Sequence, residues 1–60
     1  DSEDLEKVRS FVNFLRRRKA YLLINLGRYE EARTLLQILL QDPENSDFAL
    51  NELAYIQKKK

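Results

Sequence analysis

Cysteine and histidine are both missing from these 60 residues, and so are tryptophan and methionine. The first two absences exclude a disulfide framework and the usual zinc sites. A nucleophile–base pair would then need a Ser–Lys or Thr–Lys arrangement, and no base stands at an obvious spacing from Ser2, Ser10, Thr34 or Ser46. A single glycine cannot build a phosphate-cradling loop. Glu30 and Glu31 are neighbours, but adjacent helical positions point about 100° apart and cannot converge on one substrate. The expectation is a protein that is not an enzyme and has no cofactor and no metal. Long apolar runs are missing too: the longest ends at Ile24 after a handful of residues, against the roughly 20 that a span needs. No membrane span is expected, and with no signal peptide visible a cytoplasmic or cytosol-facing location is. Eleven Lys and Arg against ten Asp and Glu leave a net charge of +1, too little for a general attraction to nucleic acid or lipid.

What is present favours helices. Leu, Glu, Lys, Arg, Gln and Ala dominate, and all lose little rotamer freedom in a helix. Leu5, Val8, Phe11, Val12, Leu15, Leu22, Leu23 and Leu26 recur at steps of three and four, the stripe of an amphipathic helix. Asp1 or Ser2 can cap it, and Gly27 can end it in a left-handed conformation. The spacing predicts a first helix over about 2–26, with a bend near Ser10 or Asn13. A second follows over 28–41, with Tyr29, Ala32, Leu35, Leu36, Leu39 and Leu40 on one broad face. Asp42-Pro43-Glu44-Asn45 stops it, since proline lacks a donor and restricts its predecessor. Asn45 or Ser46 can cap a third helix over about 47–59, whose Lys58, Lys59 and Lys60 suit the negative end of the dipole. No segment alternates as a strand would. The fold class is all-α, with neighbouring helices antiparallel because the connections are short.

An offset of 34 residues lays the first helix onto the third: Phe14 meets Phe48, Ala20 meets Ala54, Tyr21 meets Tyr55 and Leu22 meets Ile56. That period is the tetratricopeptide spacing. Ala20-Tyr-Leu-Leu-Ile-Asn-Leu-Gly27-Arg-Tyr29-Glu-Glu-Ala32 resembles the tetratricopeptide consensus around its first turn, and Asp42-Pro-Glu-Asn45 resembles the family's closing segment. The resemblance covers 13–46 as one repeat and 47–60 as the first helix of a second repeat or a capping helix, with 1–12 an N-terminal extension. Arg16 and Lys19 depart from the family's apolar pattern, Leu39 replaces a small residue, and Pro43 comes one position early.

In tetratricopeptide arrays the first helix of each unit lines a groove that receives a peptide or helix of another protein. The resemblance therefore implies a groove built from Phe14, Arg17, Tyr21, Ile24 and Asn25, continued by Phe48, Asn51, Tyr55, Lys58 and Lys59. Aromatic faces, amides and basic groups can grip a peptide by stacking and backbone hydrogen bonds. The same aromatics could instead pack on one another as a small core. Arg16-Arg17-Arg18-Lys19 spreads over more than a turn, so it reads better as a solvated face than as a phosphate strip.

Length adds a second expectation. A first helix of about 25 residues spans roughly 37 Å and a second of about 14 roughly 21 Å, so the second stops near Asn13. Leu5, Val8, Phe11 and Val12 are left without cover, with Ile38 off the main face of the second helix. Exposed apolar stripes mark interaction sites, so the stripe is expected to meet a second copy or a neighbouring repeat, with self-association into a homo-oligomer the leading expectation. Two alternatives stay open: an oligomerisation bundle with no groove in use, and a basic adaptor for RNA or anionic lipid.

Overall fold

A computed structural model describes residues 2–59, and Asp1 and Lys60 lie outside the described residues. Among the described residues, three helices and no strand make an all-α fold: α1 over Ser2–Asn25, α2 over Tyr29–Leu39 and α3 over Ser46–Lys59. The capping role expected of Asp1, and Lys60 of the lysine run, fall on the residues not described. The 24 residues of α1 form one uninterrupted helix of about 36 Å, with no break at Ser10 or Asn13. α2 is shorter than its spacing suggested, because past Leu40 the chain tightens: the Gln41 and Asp42 amides donate to Ile38 and Leu39 carbonyls three residues back.

Gly27 is where the chain reverses. Its amide donates to the Ile24 carbonyl at 3.0 Å and the Arg28 amide to the Leu23 carbonyl at 2.8 Å, which satisfies two carbonyls of the last turn of α1. This pairing requires the left-handed φ of +79° that Gly27 adopts. Nothing lies within 4 Å of where a Cβ would stand, so a side chain is opposed there by the backbone conformation alone. At the other reversal, Asp42 Oδ1 accepts the Glu44 amide at 3.1 Å, the local turn that an aspartate before proline supports.

α2 packs against both α1 and α3. It returns antiparallel to α1: its start follows Gly27, and Asp42, just past its end, reaches Asn13 in the middle of α1. The core comprises Ala20, Leu23 and Ile24 of α1, Ala32, Leu36 and Leu39 of α2, and Ala49 and Ile56 of α3, with Tyr29, Leu35, Leu40, Phe48 and Leu53 packed at its edge. Three of these are fully buried alanines, one per helix, whose short side chains permit close helix packing. The 34-residue correspondence breaks at Ala54, which is exposed although Ala20 is fully buried. α2 covers the Ala20 side of α1, whereas no helix among the described residues covers the Ala54 side of α3, where Leu50 is exposed as well.

Candidate partner-binding groove

Side chains, not close backbone packing, join α1 to α3. The Arg17 guanidinium lies 4.3 Å from the centre of the Phe48 ring, and its Nη1 donates to Asn45 Oδ1 at 3.4 Å. Beside this bridge is a groove of about 840 Å³, walled by Ser10, Phe14, Arg17, Arg18, Tyr21 and Leu22 of α1 and by Phe48 and Glu52 of α3. Asp42, Glu44 and Asn45 close one end. Phe14 and Tyr21 are each half exposed. Arg18 stands over the Phe14 ring at 5.9 Å, so each arginine is pre-oriented by an aromatic face.

The groove's end is held by a polar network that the helical periodicity did not reveal. Asn13, only 4% exposed, donates through Nδ2 to Asp42 Oδ2 at 2.9 Å and accepts from Arg16 through Oδ1 at 2.8 Å. Asn45, 9% exposed, donates to the same Asp42 oxygen at 2.7 Å. Every buried side-chain polar atom among the described residues has a partner. Asparagine suits both places because one amide can donate and accept at once. The network links residues 29 apart, which is why no local pattern announced it.

Hydrogen bonds from Asn45, the Glu44 amide and Asn13, with a smaller contribution from the positive charge of Arg9, hold the Asp42 carboxyl below its ordinary pKa. A carboxyl depressed in the folded state contributes stability above its unfolded pKa and loses it as pH falls through the folded value. Unfolding by urea at several pH values should therefore show stability falling below about pH 4, with a shallower fall in Asp42→Asn. Equal slopes in the two proteins would remove Asp42 from the account.

The residues proposed from sequence divide. Phe14, Arg17, Tyr21 and Phe48 share the groove wall. Ile24 does not belong there: it is 7% exposed, part of the core, because its side of α1 faces the packed helices. Asn25, Asn51, Tyr55, Lys58 and Lys59 are exposed but do not line the groove. Lys59 sits 5.5 Å over the Tyr55 ring near the end of α3. Ser10, Arg18, Leu22, Glu44 and Glu52 line the groove although they were not singled out for it. They line it because Asp42 and Asn45 tie the connection before α3 to Asn13 and Arg17 of α1, which sets the start of α3 beside that helix.

Leu5, Val8 and Phe11 are exposed and Val12 is half-buried. Ile38 is exposed on α2 and lines a smaller depression with Arg9, Asn13 and Arg16. Among the described residues no group of three or more His, Cys, Asp or Glu could hold a metal, and no helix is long and apolar enough to cross a membrane. No family model, curated protein or solved structure matches this chain.

Proposed function

We propose that this chain is a protein–protein interaction module of tetratricopeptide type. It holds a peptide or helix of another protein between α1 and α3, and it self-associates through exposed apolar helix faces. One observation carries the first part: Phe14, Tyr21 and Phe48 converge on a single groove with two arginines already positioned over aromatic rings. Aromatic and arginine side chains on a pre-formed surface supply most of the energy at protein interfaces, at little cost in ordering. Hydrolytic chemistry has little to work with here. The Ser10 hydroxyl donates to Glu44 at 3.4 Å, a long contact between exposed groups. A binding role outside the membrane, facing the cytosol, accords with this reading.

Selection from a library of displayed linear peptides against the folded chain tests the groove. Recovered sequences should bind about tenfold more weakly to Tyr21→Ala and to Phe48→Ala, with helicity unchanged by circular dichroism. Tyr21 is the cleaner probe because it is half exposed, whereas Phe48 also packs at the core's edge. Binders indifferent to Tyr21→Ala would overturn the proposal.

A further inference from the structure

The bare surface of α1 is not confined to its first half. Leu5, Val8, Val12, Leu15, Lys19, Leu22 and Leu26 follow one another at alternating steps of three and four, the a and d positions of three successive heptads. Only Lys19 is not apolar. All seven are exposed except half-buried Val12, and Leu5 and Leu26 at the two ends are each 70% exposed. Residues of the same helix that face α2 and α3, among them Asn13, Ala20 and Ile24, are buried. Besides the groove wall, α1 therefore has two further faces: one packs its own domain, and the other, which shares Leu22 with the groove, is an unfilled coiled-coil seam. A strict seven-residue repeat is more than a surface helix needs, since a single buried face follows a 3.6-residue period.

We infer that this seam pairs with the same seam of a second copy of the chain, with the two α1 helices antiparallel. The inference rests on the self-association in the reading above, and not on the groove. Charge selects the orientation. Residues 2–12 carry three acids against two bases, whereas residues 13–25 carry four bases and no acid. A parallel pair would lay the two cationic halves side by side and set Lys19 against its own copy. An antiparallel pair puts each cationic half beside the partner's slightly acidic half, which also lacks cover from α2 and α3. The register that matches a to d positions sets Leu5 against Leu22 of the second copy, Val12 against Leu15, and Val8 against Lys19. The Lys19 stem can lie along that valine with its ammonium in water.

Sedimentation equilibrium and crosslinking test the pairing together. The wild-type chain should dimerise at about 100 μM, and Leu15→Glu should be monomeric there with its helicity retained. Lys19→Leu, which completes the seam, should tighten the dimer about tenfold or more, an effect that loss of folding cannot imitate. The chain has no cysteine of its own, so Leu5→Cys and Leu22→Cys can each be read alone. Mixed and oxidised, the two variants should form the crossed disulfide, while Leu5→Cys by itself should not, because its two copies stand about 25 Å apart. A monomeric wild type, a Lys19→Leu chain that associates no better, or ready crosslinking of Leu5→Cys to itself would each overturn the inference. Peptide selection on the monomeric Leu15→Glu chain keeps the groove question separate.

Discussion

Leu36→Ala should leave the chain largely unfolded at room temperature. Leu36 is fully buried near the middle of α2, the helix that packs against both others. Truncating a buried leucine costs about 2–5 kcal/mol, from lost transfer energy and from the cavity left behind. A 60-residue domain without disulfides or metals commonly has only about 3–5 kcal/mol in total. Circular dichroism through a urea titration should show the native baseline shortened or absent. Ile38→Ala is the control: it lies in the same helix but is 40% exposed, so its cost should be clearly smaller. A loss below about 1 kcal/mol at Leu36 would mean that α2 is not the centre of the core.

Ala20→Leu should be the second severe change, although it adds an apolar side chain to an apolar site. Ala20, Ala32 and Ala49 are all fully buried. A longer side chain where even alanine is fully buried must push its neighbours apart, at a cost of about 1–3 kcal/mol. The matching substitution Ala54→Leu has the same chemistry at the corresponding position of the 34-residue offset. Ala54 is exposed, so its effect should stay within about 0.5 kcal/mol in either direction. Thermal unfolding of the two variants side by side checks the reasoning. Equal destabilisation would show that helix propensity, not the covering helix, decides the outcome.

That pair also marks how far the sequence could be read. Ala20 and Ala54 stand in the same local string, Phe, five residues, Ala-Tyr, and a periodicity argument treats them alike. They differ only because α2 lies on one of them. Ile24 is the same lesson in reverse: the family resemblance sent it to the groove, and the packing of α1 turned it inward. Phe14, Tyr21 and Phe48 share one groove, whereas Tyr55, the counterpart of Tyr21, does not line it.

By itself the sequence determined that there are three helices and where the chain reverses between them, though not that α2 ends at Leu39. The signals for that are local: steps of three and four, a glycine free to adopt positive φ, and a proline that cannot continue a helix. Tertiary structure alone decided which apolar face of α1 is covered. That helix carries apolar residues on more than one side, and a period states that faces exist without stating which has a neighbour. It alone also brought Asn13 to Asp42 and Asn45, because a hydrogen bond between distant residues leaves no trace in the spacing of either.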